Sequence, residues 1–386
     1  MSFSFIQDGT YGITRPLILG TVICMLANPK AAKAKLVLIF QTFRYLLLSK
    51  DKKWKKGEED PASFFPTPGG ANNDQEIVVK RKTVIFLRHG ESTWNDTFNK
   101  GDRKKSSFLL GFVPGIILSL ATEWYFLVLG KSDESWFFDS PLSKKGISQA
   151  EGIAKFLRET DPKDVTPQEA KFLRLIKGEE TETKASGKNG SGKCVMVSSN
   201  LRRAISTCAI GMKDRLDRKI SDDKILVLQE LQEASINPDA QSIAPPFGKL
   251  VASFMDSEEI KNVYANQTDA RLNKGNKELK SNGLIRMKAF CKMLFDGDGR
   301  NEENNDKNGS IVLANYDNVL CTGHSYWFRA FFQTYLPRNF QHVCKTKKIV
   351  NGGLVGFTLC HTKVKTTGED KYMIDPSSLT VLYGGF

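Results

Sequence analysis

The triplet Arg88-His89-Gly90 closes an apolar run, Thr83 to Leu87 (TVIFL). A continuous run of this kind reads as a buried strand of a parallel sheet. The carboxyl ends of such strands are where α/β sheets form their binding crevices. A histidine placed there is a fair nucleophile near neutral pH, because its ordinary pKa is about 6.5. Gly90 lets the backbone pass close to a ligand, and the planar fork of Arg88 can hold two oxygens of an anion at once. One such triplet is a weak signal by itself. However, the chain has only four His, at 89, 324, 342 and 361, and His324 stands in the same setting: Cys321-Thr322-Gly323-His324-Ser325 follows the apolar stretch from Val319. A third apolar run, Cys194 to Val197, leads into Ser199-Asn200-Leu201-Arg202-Arg203-Ala204. Three strand ends each carry a basic group beside a turn, a cluster that suits a tetrahedral anion with two or three negative charges.

The segments RHGESTWN, PLSKKGISQA (Pro141 to Ala150), SSNLRRAIST and TGHS occur in this order. The chain thereby resembles the histidine phosphatase superfamily, the phosphoglycerate-mutase-like fold, over roughly residues 82–360. The resemblance implies that His89 is the nucleophile that becomes phosphohistidine and that Arg88 binds phosphate. Arg203 matches the family's second phosphate-binding Arg, with Arg202 as the neighbouring alternative. His324 matches a phosphate-holding imidazole, and Asn95 an Asn that touches the phosphate. The general acid of such enzymes is a Glu in an L-x-E context; Leu231-Gln232-Glu233 fits, with Glu230 as the alternative. The phosphoglycerate mutases of the family carry a Tyr-Gly-containing, Lys/Arg-rich stretch after that Glu. Here Glu233 is followed by Ala-Ser-Ile-Asn-Pro-Asp-Ala, which favours a phosphomonoester hydrolase over a mutase-type phosphotransferase. A membrane-tethered binding protein with a vestigial site is the reading from a different class, but every catalytic position of the family is filled. Residues 234–283 are expected to shape the substrate pocket. No cofactor is expected, and no Asp/His cluster with metal-ligand spacing is visible.

Positioning three strand ends side by side requires an α/β fold. The expected architecture is a three-layer sandwich with a mostly parallel central sheet, helices on both faces, an N-terminal helical extension and an apolar helical insertion. Helical patterns lie around Gly146–Arg158, Arg202–Leu216 and Leu284–Phe295, between the apolar runs, and this alternation is the α/β signature. The domain plan is an apolar and basic extension at 1–56, a Pro/Gly-rich linker at 57–79, and the phosphatase-like domain at 80–386 with an insertion at about 98–137. Two polar low-complexity stretches, Lys177–Lys193 and Asp296–Gly309, read as surface loops.

The extension holds a short apolar run, Leu17–Ala27, then a helix expected over Lys30–Leu48 with a wide apolar face and a basic stripe, then the basic run Lys50–Lys56. That is the pattern of an interfacial membrane helix, although a helix docked on the protein's own core fits too. In the insertion, 16 of the 22 residues Phe108–Leu129 are apolar and the only charge is Glu123. A single bilayer crossing there conflicts with the fold, because the strands before His89 and Ser199 belong to one sheet and the chain must return to the same side. Pro114, Gly111 and Gly115 predict a broken helix, lying in the membrane interface or against Lys30–Leu48.

With 386 residues, 40% apolar and 26% charged, the chain is neither disordered nor collagen-like nor a polytopic membrane protein. The net charge of +13 points to anionic partners. Residues 1–58 carry ten Lys/Arg against three acids and so supply +7 of it. A phosphorylated substrate and an anionic membrane surface are the partners this suggests. Nucleic acid is not expected, since no recognised binding motif is present. Seven Cys without a CxxC suit a reducing compartment, hence a cytoplasmic location with peripheral membrane contact.

Overall fold

Val84, Ile85, Phe86 and Leu87 are all fully buried, and they alternate between two hydrophobic cores, one on each face of the sheet. This is why the run is apolar without a break. The computed structural model describes residues 18–54, 59–65, 78–101, 103–179, 194–218, 223–296 and 312–386. The elements run α1 (Ile18–Ala27), α2 (Pro29–Leu48), β1 (Lys80–Arg88), α3 (Thr93–Phe98), α4 (Lys105–Val128), α5 (Lys144–Glu159), α6 (Pro167–Lys177), β2 (Cys194–Ser199), α7 (Arg202–Gly211), α8 (Lys213–Leu216), β3 (Ile225–Leu228), α9 (Glu258–Asn266), β4 (Thr268–Asp269), α10 (Gly283–Asp296), β5 (Asn318–Gly323), α11 (Ser325–Tyr335), β6 (Leu354–Lys363), β7 (Asp370–Ile374) and β8 (Thr380–Tyr383). The sheet order is β4-β3-β2-β5-β1-β6-β7, with β8 paired to β6.

The strands β4, β3, β2, β5 and β1 are mutually parallel, and β6 runs antiparallel to β1, β7 and β8. The fold is therefore α/β with a mixed sheet flanked by helices. The helix expected over Arg202–Leu216 is interrupted at Met212, giving α7 and α8. Residues 180–193 and 297–309 of the two expected loops, and most of the linker 57–79, lie outside the described residues, while Lys177 and Asp296 end α6 and α10.

Register delivers the strand ends to one place. Arg88 pairs with Gly323 across β1 and β5, and Ser198 pairs with Thr322 across β2 and β5. The next residues, His89, His324 and Ser199, therefore emerge side by side. Behind them, Phe86 stacks on Phe328 at 4.1 Å, and Trp327, Phe331 and Phe332 of α11 are fully buried around it. This aromatic block fixes α11 and, with it, His324 immediately before it.

Asn28 caps α2 by accepting from Ala31 N, with Pro29 at the first helical position. Its buried stripe is Ala31, Ala32, Lys35, Thr42 and Tyr45, while Phe40, Phe43, Leu46, Leu47 and Leu48 are exposed. The apolar insertion is not broken. It forms α4, one helix of 24 residues with Pro114 inside it. Proline removes one backbone hydrogen bond, at a cost of about 3 kcal/mol, and need not end a helix. Here α4 is held from Phe112 onward: Phe112 packs on Phe98, Gly115 sits over Thr97, Ser119 is buried, and Phe126 packs on Phe254 at 4.9 Å. Glu123 accepts from Trp136 N at 2.7 Å and pairs with Lys35 of α2 at 2.9 Å. Trp124 donates to Thr21 of α1 at 3.1 Å. The insertion thus packs on the N-terminal helices. Its outer face exposes Leu109, Leu110, Val113, Ile117 and Leu118. Among the described residues, α4 is the one helix long and apolar enough to cross a membrane.

Candidate active site

Strand β1 ends in a turn whose backbone is held from several sides. His89 N donates to Gly323 O at 3.0 Å, Gly90 N to Thr207 Oγ1 at 3.0 Å, Glu91 N to Gln149 Oε1 at 2.8 Å, and Asn351 Nδ2 to His89 O at 2.9 Å. The His89 ring itself is oriented by Nδ1, which donates to Gly90 O at 2.5 Å. That bond fixes the tautomer and puts the lone pair on Nε2, where it accepts from Arg203 Nε at 3.4 Å. Burial above all, then the charges of Arg203 and Arg88, hold the His89 pKa well below 6.5. The imidazole is therefore neutral, as a nucleophile must be.

Arg203 is buried and held in place by Asp239: Nη1 donates to Asp239 O at 2.7 Å, and Nη2 lies 3.5 Å from Oδ2. Arg202, its neighbour, points elsewhere. It pairs with Glu134 at 2.8 Å and takes Asp139 Oδ1 on its backbone N–H, so it ties α7 to the loop after α4. Arg88 donates to Ile349 O at 2.6 Å. His324 is fully buried with its ring centroid 4.9 Å from that of His89, and its Nε2 lies 2.8 Å from Ser199 Oγ. Burial, then Arg203 and His89, depress its pKa as well.

Arg88, His89, Asn95, Arg203 and Glu233 line one cavity of about 230 Å³. His324 stands directly behind His89. Glu233 is clamped at the start of α11, accepting from Trp327 N at 3.0 Å and from Ala234 N at 2.9 Å. Glu230 is turned away from this cavity, where Oε1 accepts from Lys274 at 3.0 Å. The structure thus separates the two pairs of alternatives that the family resemblance left open: Arg203 and Glu233 stand at the cavity, Arg202 and Glu230 do not. Of the four histidines only His89 is on its wall; His324, expected there, is fully buried, and His342 and His361 are elsewhere.

The cavity also holds residues that motif reading passed over: Asp239, Lys348, Asn351, Tyr326 and Lys52. Asp239 lies in the 234–283 stretch expected to shape the pocket. Burial, against the pull of Arg203, raises its pKa. Lys52 comes from the N-terminal extension, far in sequence from every motif, and no local pattern could have placed it here. The arrangement can bind an anion between cationic side chains, present a neutral imidazole nitrogen to it, and supply a carboxyl group nearby.

No family model matches the chain, and no curated protein matches it in sequence. Solved structures similar to it include mycobacterial glucosyl-3-phosphoglycerate phosphatase, at 13% identity over 77% of this chain and 98% of that one, with a TM-score of 0.31. The ecdysone phosphate phosphatase from Bombix mori in complex with tungstate is similar at 14% identity over 76% of this chain and 93% of that one, with a TM-score of 0.32. At such identities and TM-scores the likeness carries no argument about what this chain does.

Proposed function

We propose that this chain is a phosphomonoester hydrolase that works through a covalent phosphohistidine on His89. The observation that carries the reading is the tautomer lock of His89: Nδ1 is committed to Gly90 O, and the unprotonated Nε2, which accepts a long bond from Arg203 that a phosphate can displace, stands at a cavity that also holds Arg88 and Glu233. The substrate phosphate sits between Arg88 and Arg203, which offset its charge as it builds on the equatorial oxygens, while neutral His324 stands behind His89. Nε2 attacks phosphorus in line, forming the P–N bond as the P–O bond breaks. The leaving alkoxide takes a proton from the Glu233 carboxyl. Water then attacks phosphorus, giving its proton to the Glu233 carboxylate, and the P–N bond breaks to return neutral His89 and free phosphate. Nothing in these steps calls on a cofactor.

The same reading places the enzyme at the cytoplasmic side of a membrane. Support comes from the exposed apolar faces of α2 and α4, the basic residues around them, and seven free cysteines that suit a reducing compartment. The test is incubation with p-nitrophenyl phosphate followed by rapid quenching. The wild type should release p-nitrophenol and trap an acid-labile, alkali-stable phosphoenzyme that maps to His89. Turnover without any phosphoenzyme would reject the covalent route. Isomerisation of phosphoglycerate in place of hydrolysis would assign a mutase instead.

A further inference from the structure

The cavity wall and the surface beside it have opposite chemistries. The wall has no aliphatic side chain larger than that of Ala234, so only a polar group has a place inside. At its rim stand Lys52, four residues beyond the end of α2, and Asn99 and Gly101, just before the start of α4. The two helices that reach the rim carry large exposed apolar side chains. Phe40, Phe43, Leu110 and Val113 are 68%, 59%, 79% and 60% exposed. The contact stripe of α4, spaced at three and four residues from Phe112 to Phe126, keeps that part of one face on the domain. A helix held by one face to the domain is suited to lie along a membrane surface. Its opposite face is turned outward, as is the exposed face of α2.

The charges complete the pattern. Lys50, Lys52 and Lys53 follow α2, and Lys100, Lys104 and Lys105 flank the start of α4, all exposed. Arg103 is the seventh cation of the two segments. Apolar faces that end in exposed cations at the mouth of an anion site match the profile of a bilayer interface, in which acyl chains lie below a layer of phosphate.

We propose that the substrate of this site is a lipid phosphomonoester held in a membrane. Its phosphate rises past Lys52 and the Asn99–Gly101 turn to His89, while its acyl chains stay in the bilayer on which α2 and α4 rest. This inference builds on the phosphatase reading above. The products are an uncharged lipid alcohol, which remains in the bilayer, and inorganic phosphate, which leaves to water.

The experiment compares two substrates on the full-length chain: p-nitrophenyl phosphate in solution, and phosphatidic acid in phosphatidylcholine vesicles. It uses the wild type, His89→Ala, and a variant with Phe40→Asp, Phe43→Asp, Leu110→Asp and Val113→Asp. All four positions are exposed, so the fold should survive. The wild type should float with the vesicles, more weakly as salt rises, and release phosphate from them. The four-site variant should keep its rate on p-nitrophenyl phosphate but lose more than about tenfold on vesicles. A wild type that hydrolyses p-nitrophenyl phosphate yet neither binds nor hydrolyses vesicular phosphatidic acid would overturn the lipid inference and leave the phosphatase reading standing. So would a stable dimer in solution that covers this face and ignores vesicles, since the occupant would then be a second copy. A wild type inactive on every phosphomonoester would overturn both.

Discussion

Asp51 Oδ2 lies 2.8 Å from Lys277 Nζ, and both side chains are fully buried. Asp51 Oδ1 also takes Arg286 at 2.7 Å. Lys277 in turn donates to Glu233 O at 2.7 Å and to Ser235 O at 2.5 Å. A carboxylate from the N-terminal extension therefore neutralises the lysine that holds the loop of the proposed general acid. Removing one partner of a buried pair leaves an uncompensated charge and costs about 3–5 kcal/mol. Asp51→Ala should lower stability by that order in a denaturant titration and should lower activity with it. A loss below about 1 kcal/mol would show that water reaches this cluster. A truncation past residue 51 would suffer the same damage, so membrane binding is better probed by point substitutions than by deletion.

His89→Ala should abolish turnover, by a factor above about 10³, while leaving the unfolding transition close to that of the wild type. His324→Ala should also be severely impaired, yet it should still be able to form a phosphoenzyme on His89. Near-normal hydrolysis by His89→Ala would eliminate the covalent mechanism outright.

The chemistry was legible in the sequence where it depended on strand ends, because a fully buried strand announces itself as an unbroken apolar run and the turn after it is fixed by register. His89, His324 and Arg203 share that logic. Asp51 and Lys52 were not legible, because they reach the site through tertiary packing of an extension that has no motif. Pro114 and two glycines suggested a break in the insertion that does not occur, since contacts with Phe98, Thr97 and Phe254 along α4 outweigh the local preference. The family resemblance pointed to Arg203, with Arg202 as the neighbouring alternative. Only the contacts with Glu134 and Asp139 show that Arg202 is turned away from His89.

The histidines give a pH dependence with a definite sign. Burial, assisted by Arg203, keeps His89 and His324 neutral well below 6.5 in the folded chain. The unfolded chain protonates them near 6.5, so below that pH the unfolded state binds more protons and stability rises with pH. Their contribution is complete above about pH 6.5 and is lost as the pH falls toward the folded values. The melting temperature should therefore drop on acidification below pH 6.5. Bound inorganic phosphate should reduce the drop, because an anion beside the rings favours their protonation. The acid limb of kcat/KM, corrected for substrate ionisation, should lie below 6.5; a limb at or above 6.5 would contradict the buried, neutral nucleophile.

Two carboxyls compete for the role of acid. Glu233 is held at the start of α11, and Asp239, with its pKa raised by burial, sits against Arg203. Glu233→Gln should slow alkyl phosphates by about 10²-fold or more and p-nitrophenyl phosphate far less, because a good leaving group departs without a proton. Asp239→Asn keeps the backbone bond to Arg203 but removes the ion pair; it should instead alter phosphate affinity and affect both substrates alike. The reverse pattern would hand the proton to Asp239.

Gly146, in the Pro141–Ala150 segment, explains why that segment belongs to the site although none of its side chains lines the cavity. It lies in the first turn of α5, whose cap Ser143 accepts from Gly146 N at 3.1 Å. A Cβ on Gly146 would come within 2.0 Å of Glu91 O, and a Cβ on Gly90 within 2.4 Å of Gly146 O. Backbone meets backbone here with no space for a methyl group, and neither neighbour is a flexible side chain that could move aside. Gly146→Ala must therefore push α5 away from the His89 turn and loosen the bond from Glu91 N to Gln149 on the same helix. Overpacking of this kind costs about 1–3 kcal/mol. The displaced turn should also lower kcat on p-nitrophenyl phosphate by about tenfold or more, since small misplacements of a nucleophile are expensive. Gly152→Ala, on the same helix but facing only the Tyr383 hydroxyl at 3.2 Å, is the control. It should be close to neutral, and equal losses in the two variants would show that α5 as a whole, rather than its contact with the His89 turn, governs activity.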